Sequence, residues 1–424
     1  MFALNTSPGN PMRRLSLLML AAVALLVIGA APQPSNNGDE ATTEQSSPDN
    51  GAANTTASSV RPARAVPAYR QANHVAVLTI RGVIDKITLR SLERRVAEAK
   101  AAGAGAIVLD IDTPGGEMYA TLDICNLIKT DAPANTVAWI NDQAFSAGTF
   151  IALACREIVV KSNATFGDAA PIKAAPGGLG MMQMSATERA KIEAPLLAEV
   201  VDSARRNGYD ENLVQAFVSV GIELWMLENK QSGNRIFVNQ QEYETVFGEA
   251  PPKKITSVTP PSQPKQQQKD KVLSFFERLS QSKSDSEEEP PTPEEIQQQV
   301  ESQQIRQPTR ERLTAEDAGK WTLIGQVIAN DRLLTLKANE ALYYGLATAT
   351  VNDNQDIKAY FGAQKISHYH ENWSEALVRF CRNPIVMGVL IAIFLIGMFG
   401  ELAAPGFGVF GAVSLAALLL LVGA

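Results

Sequence analysis

A lone serine stands among small residues in Ala144-Phe145-Ser146-Ala147-Gly148-Thr149. Upstream lies Leu109-Asp110-Ile111-Asp112-Thr113-Pro114-Gly115-Gly116. A serine on a strand-to-helix bend is a nucleophile once a base takes its proton. Two glycines ending a buried strand can turn their N–H groups toward a ligand. Together they offer the parts acyl chemistry needs: an attacking oxygen, and amides aimed at the negative charge that develops on the carbonyl. Each such donor is worth ~3 kcal/mol in the transition state. Ala147 and Gly148 let a substrate backbone approach closely, and Thr113-Pro114 would set the bend that turns the glycines inward. The plainer alternative is a Ser146 hydroxyl that only N-caps the following helix.

Other chemistries find little support. His74, His368 and His370 lie too far from Ser146 in sequence to point to a Ser-His-Asp triad. Cys125, Cys155 and Cys381 lack metal-ligand spacing and read as small buried hydrophobes or an idle thiol. No metal or cofactor is expected. A net charge of -7 and a pI near 5.3 argue against a nucleic-acid partner.

The elements that must position the serine alternate. Apolar runs at 75–80, 106–111, 136–141 and 157–161 read as buried strands. Helical spacing covers 86–102, 118–130 and 147–155. This alternation means βαβ units and a mostly parallel sheet, an α/β fold. Thr165–Asp168 and Pro171 read as a turn at the rim of a site. Residues 177–184 read as a mobile loop, where Met181, Met182 and Met184 either line an apolar peptide groove or fill gaps. Ser185 and Glu188 can form a capping box for a long helix running to Asn207, with Gly208 as its stop. Residues 210–220 read as a short helix and 223–248 as two strand-like runs around a hairpin at Ser232-Gly233-Asn234. The fold resumes at 321–328, with a last helix over 336–346 and a closing strand over 347–351.

The flanks differ. Arg13 and Arg14 precede an apolar run, so 1–31 reads as a signal peptide or signal anchor. Residues 32–66 read as a disordered linker, and 249–313, rich in Pro, Gln, Lys and Glu, as a disordered excursion. Residues 363–383 read as a polar juxtamembrane stretch carrying His368 and His370. Ile385–Gly400 and Phe407–Leu421 are apolar runs slightly short of the roughly 20 residues that span a bilayer. They read as two thin spans or a dipping hairpin, so the expected partner is a membrane. Arg379 and Arg382 favour a cytoplasmic start to the first span. The N-terminal signal instead puts the soluble domain outside the cytoplasm, and that reading is preferred. Ending inside apolar sequence at Gly423-Ala424, the chain reads as a fragment.

The Leu109–Gly116 strand end, the Ser146-Ala147-Gly148-Thr149 turn-helix and the Phe166-Gly167…Pro171 turn resemble the ClpP/crotonase superfamily. With the signal segment, the apolar spans and the Pro405-Gly406-Phe407-Gly408 turn, the chain resembles membrane-bound serine proteases of the NfeD type. The likeness covers 74–228 and 321–424. It implies a ClpP/crotonase-like βαβ spiral domain, in two parts at 67–248 and 321–362 around an insertion at 249–320, followed by C-terminal transmembrane helices at 384–424. It implies Ser146 as nucleophile and the amides of Gly116 and Ala147 as oxyanion hole. Gly115, Gly167, Met181 and Met182 become substrate contacts, and a homo-oligomer is expected. It also implies a lysine base near position 201, where this chain has Val201. Lys191 is the nearest stand-in, ten residues of helix or about 15 Å away. Lys173 on a moved loop is another. Arg205 and Arg206 hold their protons too tightly to serve.

Three readings follow: a peptidase with a relocated base acting on an apolar polypeptide near the membrane, an inactive scaffold that binds peptides or partner proteins, and an acyl-thioester binder. The signal-like N-terminus speaks against the third.

Overall fold

The computed structural model describes residues 66–174, 181–252, 306–403 and 408–423. They fall into two units, Val66–Ala376 and the residues from Leu377 onward. The readings for 1–65, for Gly177–Gly180, for most of the 249–320 insertion and for Pro405-Gly406-Phe407 lie outside the described residues.

In the larger unit, strands and helices alternate: β1 (His74–Ile84), α1 (Lys86–Ala101), β2 (Ala106–Gly116), α2 (Met118–Thr130), β3 (Thr136–Phe145), α3 (Ala147–Ala154) and β4 (Glu157–Val160). Short strands β5 (Thr165–Gly167), β6 (Lys173–Ala174) and β7 (Met181–Met182) follow. Then come α4 (Ala186–Asn207), α5 (Glu211–Gln215), β8 (Leu224–Asn229), β9 (Arg235–Val238) and α6 (Gln240–Phe247). Beyond the insertion stand β10 (Trp321–Ile328), β11 (Thr335–Lys337), α7 (Ala338–Tyr343), β12 (Ala347–Thr350), α8 (Asn354–Phe361) and β13 (Lys365–Tyr369).

The main sheet has eight strands in the order β11-β5-β3-β2-β1-β13, with β4 paired to both β3 and β12. β1, β2, β3 and β4 run parallel. Strands of a parallel sheet are covered on both faces and so read as unbroken apolar runs. One face carries Leu78, Ile80, Leu109, Ile111, Ala138 and Ile140 into the main core with α1 to α4. The other carries Val75, Val77, Val108, Val137, Trp139 and Val159 against Ile357 and Phe361 of α8. The helix starts are set locally. Asp85 and Thr88 form a capping box for α1, and Ser185 and Glu188 form one for α4, which ends at Gly208 with φ 80°.

Four segments differ from the sequence reading. Residues 240–247 form a helix after the β8–β9 hairpin, and β10 adds antiparallel to β8, making a separate three-stranded sheet. The 336–346 stretch divides into β11 and α7. Residues 365–369, read as juxtamembrane, pair in parallel with β1 at the edge of the main sheet. Residues 306–313, read as part of a disordered excursion, dock by polar contacts. Arg306 bonds Asp202 at 3.1 Å, Arg310 bonds Glu242 at 2.7 Å, and the Leu313 amide donates to Glu242 at 3.1 Å.

The second unit holds most of α9 (Trp373–Cys381), then α10 (Pro384–Ala403) and α11 (Val409–Gly423). With 20 residues and a mean hydropathy of 2.5, α10 is long and apolar enough to cross a membrane, while α11 is shorter. The two pack closely. The Ser414 hydroxyl donates to the Phe394 carbonyl at 3.0 Å, and Glu401 accepts the Gly411 amide at 2.9 Å.

Candidate active site

Strands β2, β3 and β5 end at one place. Thr113 pairs with Ala144, and Phe145 pairs with Gly167. Ser146 follows at once, on the C-terminal side of the parallel strands, where open α/β sheets bind ligands. Its backbone has φ 50° and ψ -115°. A non-glycine residue held there costs ~1–3 kcal/mol and persists only when its surroundings impose it.

Those surroundings can be named. The Ser146 amide donates to the carbonyls of Gly167 and Asp168, both at 3.2 Å. The buried Thr149 hydroxyl lies 2.9 Å from the Ala144 carbonyl and 3.0 Å from that of Gly167, and accepts the Gly167 amide at 3.1 Å. A Cβ on Gly148 would lie 2.6 Å from Thr113 Cγ2, so only glycine lets α3 press this close to β2. The Ser146 side chain makes no capping bond to α3. The hydroxyl is therefore not used as the N-cap that the plainer reading assigned.

The glycine bend meets the serine directly. Gly115 has φ 117°, and a Cβ there would fall 2.6 Å from Ser146 Cβ and 3.0 Å from its Oγ. Thr113 shapes the bend: its hydroxyl donates to the Gly82 carbonyl at 2.6 Å and accepts the Gly115 amide at 3.0 Å. Gly116 packs its backbone on Ile84, where a Cβ would collide with the Ile84 carbonyl. Ala147 is the first residue of α3, and its amide is one of those a helix cannot satisfy from its own turns. Gly167, at φ 128°, is pinned against the Leu334 carbonyl. Gly115, Gly116, Ser146, Ala147 and Gly167 thus meet at one corner of the sheet.

The lysines stand apart from this construction. Lys191 is exposed on the second turn of α4. Lys173 forms an exposed ion pair with Glu188 at 3.3 Å. Val201, where the resemblance implies a lysine, is fully buried in the core. Lys129 is buried but held by Glu199 and Asp202, each at 2.7 Å, and this pairing keeps its charge. Met181 pairs with Ala174 in β6–β7, and Met182 is 45% exposed. Val83 and Tyr119 are exposed apolar side chains next to the site's elements, Val83 in register with Gly115 and Tyr119 the second residue of α2, and Ile172 is exposed in the stretch after β5.

Two carboxyls escaped the sequence reading. Asp168, in the strand-end turn, has φ 45°, and burial raises its pKa above the ordinary range. Glu193 on α4 is 5% exposed. The Ser219 hydroxyl donates to its Oε2 at 3.0 Å, and Arg189 stands 3.8 Å from Oε1. Burial raises its pKa too, against the opposing pull of Ser219 and Arg189. Ser219 lies two residues beyond Phe217, whose carbonyl accepts the Ala169 amide at 2.7 Å. The rim turn is thereby tied to the loop that carries Ser219. The sequence signal for Asp168 was its place after Gly167 in a turn; its burial was not visible.

A serine-bearing strand–turn–helix beside a glycine strand end, on a layered βαβ sheet, is the arrangement that the resemblance to the ClpP/crotonase superfamily implies. The family model for the NfeD1b N-terminal domain matches residues 74–252 of this chain. The membrane protein NfeD1b of Bacillus subtilis (strain 168) is 22% identical over 348 residues, 82% of this chain and 55% of that protein. The membrane-bound protease PH1510 of Pyrococcus horikoshii is 27% identical over 157 residues, 36% of this chain and 34% of that protein. The chain thus spans about half the length of one relative and a third of the other. Among solved structures, a variant of the 1510-N membrane-bound stomatin-specific protease in complex with a substrate peptide aligns over 72% of this chain and 96% of that one, at 15% identity and a TM-score of 0.37. ClpP1 from Listeria monocytogenes aligns over 40% of this chain and 85% of its own, at 16% identity and a TM-score of 0.26. The chain is thus similar to NfeD-type membrane proteins over these residues, and its α10 is long and apolar enough to cross a membrane.

Proposed function

We propose that the chain is a membrane-bound serine endopeptidase that cleaves apolar polypeptide segments near the membrane surface. The observation that carries this reading is the strained Ser146 turn with Gly115 pressed against its side chain. In this reading Ser146 Oγ attacks the scissile carbonyl while its proton passes to a base. The Gly116 and Ala147 amides hold the oxyanion. The tetrahedral intermediate collapses, the amine leaves with that proton, and water then hydrolyses the acyl-enzyme. The exposed Val83, Tyr119, Ile172 and Met182 favour apolar side chains on the peptide. The relative PH1510 is by name a membrane-bound protease, which supports the reaction class.

Lys191 and Lys173 lack the burial that a lysine base requires. Another candidate is Asp168, a half-buried residue whose main-chain carbonyl accepts the Ser146 amide at 3.2 Å and whose carboxyl pKa is raised by burial. Desolvation strengthens a carboxylate as a base. The N-terminal signal-like run supports a domain held outside the cytoplasm, and the ClpP likeness supports a homo-oligomer.

The buried Val201, at the position where the resemblance implies a lysine, favours one alternative, an inactive scaffold that holds peptides or partner proteins in the same groove. A fluorophosphonate probe on the full chain in lipid nanodiscs separates the two. Labelling of the wild type that vanishes in Ser146→Ala supports the peptidase. Folded wild-type protein that takes no label leaves the scaffold.

A further inference from the structure

Helix α9 presents two unlike faces. At 3.6 residues per turn, Trp373, Leu377 and Phe380 fall within one stripe about 60° wide, and Glu375 and Arg379 fall about 40° apart on the opposite side, with Arg382 just past the helix end. The apolar stripe is bare: Trp373 is 79%, Leu377 41% and Phe380 38% exposed. On the polar side, Glu375 accepts the Ser91 hydroxyl at 2.8 Å and the Arg94 guanidinium at 3.0 Å. A helix that ties its Glu375 to Ser91 and Arg94 and leaves a tryptophan, a leucine and a phenylalanine uncovered has its apolar partner elsewhere.

The chain itself points to that partner. Only Arg382 and Asn383 separate α9 from α10, the helix long and apolar enough to cross a membrane. The break between them is built in. The Asn383 side chain accepts the Ile385 amide at 3.0 Å, and Pro384 occupies the first position of α10. An Asn cap followed by proline at the first helical position starts a new helix and lets the direction change. A helix joined so closely to a bilayer-crossing one begins at headgroup depth. Tryptophan is enriched at that depth, and an amphipathic helix there buries its apolar face into the boundary of the acyl chains.

We propose that α9 is an interfacial helix whose Trp373-Leu377-Phe380 stripe docks into the lipid bilayer. Its polar side keeps the contacts of Glu375 and turns Arg382 toward the headgroups. This assignment does not rest on catalysis.

The test uses the full chain in vesicles of phosphatidylcholine brominated on the acyl chains. The other tryptophans are poorly placed to report on lipid, since Trp139 and Trp225 are 6% and 2% exposed and Trp321 lies in the small sheet. Bromolipid should quench a component of the emission that is missing in Trp373→Phe, a variant at an exposed position that leaves the core untouched. Leu377→Glu with Phe380→Glu should cut that component severalfold while α10 keeps the protein in the vesicle fraction. Equal quenching in wild type and Trp373→Phe would overturn the proposal, as would quenching that survives the double glutamate variant. So would cross-links between α9 helices of two copies with no bromolipid quenching, which would make the stripe a contact between chains.

Discussion

The turn at Ser146 and the first turns of α4 are built to opposite standards. At Ser146 the backbone is strained and overdetermined: Thr149 locks Ala144 and Gly167, Gly148 admits Thr113, and Gly115 lies against the side chain. Around Lys191 the helix surface is ordinary. Lys191 is exposed, and Lys173 and Glu188 form an exposed ion pair. Leu196, Leu197, Val200 and Val201, apolar side chains that α4 buries, come beyond Pro195, and before it Glu193 is the buried side chain. The difference teaches that the fold invests its close packing in the Ser146 turn and the glycine bend beside it. It gives nothing comparable to the lysines that the resemblance would recruit.

The strongest way to break this contrast is Gly115→Ala. The new methyl would lie 2.6 Å from Ser146 Cβ at a φ of 117°, which alanine resists. We expect fluorophosphonate labelling to fall by about 10²-fold, since small displacements at a reacting centre are this costly. Chemical denaturation should show a loss of about 2 kcal/mol. Normal labelling in Gly115→Ala would mean that the glycine bend does not set the serine.

Next in size is Asp168→Asn. The fold raises the Asp168 pKa by desolvation, so the protonated form persists to higher pH than in an ordinary aspartate. If this carboxylate takes the serine proton, labelling falls as pH drops through the raised value, and the acid limb lies above the usual aspartate range. The asparagine variant should lose that limb and label about 10²-fold more slowly, the lower end of general-base effects. An unchanged pH profile in Asp168→Asn would remove Asp168 from the reaction.

A smaller effect is expected at Glu193, which sharpens the contrast within α4 itself. Its pKa is raised by burial. Its stabilising contribution is therefore complete below the unfolded pKa and is lost as pH rises through the folded one. Glu193→Gln removes that loss and still accepts from Ser219. Urea denaturation should find the variant more stable by about 1 kcal/mol at pH 8, and within about 0.5 kcal/mol of wild type at pH 4. Equal stability of the two proteins at pH 8 would mean that the buried carboxylate carries no cost.

Most of the sheet could be read from apolar runs. Val75–Ile80, Ala106–Ile111 and Thr136–Asn141 lie within β1, β2 and β3, and Met118–Thr130 is α2 residue for residue. Parallel strands covered on both faces leave that signature in any order of connection. What escaped is held by other forces. Residues 306–313 dock through Arg306, Arg310 and the Leu313 amide, so a polar composition concealed an ordered segment. β13 is half-exposed and alternates polar with apolar residues at a sheet edge, which made Lys365–Tyr369 read as part of a polar juxtamembrane stretch. At the site, small residues in a run revealed the turn. The positive φ of Ser146 and the burial of Asp168 depend on partners distant in sequence, such as Leu334, whose carbonyl accepts the Asp168 amide at 3.0 Å.

The smallest expected effect carries the sharpest meaning. Lys191→Ala removes an exposed charge from the second turn of α4, and the helix keeps its capping box of Ser185 and Glu188. Stability should stay within about 0.5 kcal/mol of wild type, as for surface substitutions away from special features. Labelling should change less than about twofold, because a base must lie within hydrogen-bond reach of the proton it abstracts. Should labelling collapse instead, with folding intact and Asp168→Asn still active, the contrast drawn above inverts. Lys191 would then be the base, and the start of α4 would have to carry it from solvent to the serine when substrate binds. That motion would appear as labelling in which peptide substrate accelerates the reaction of Ser146 rather than protecting it.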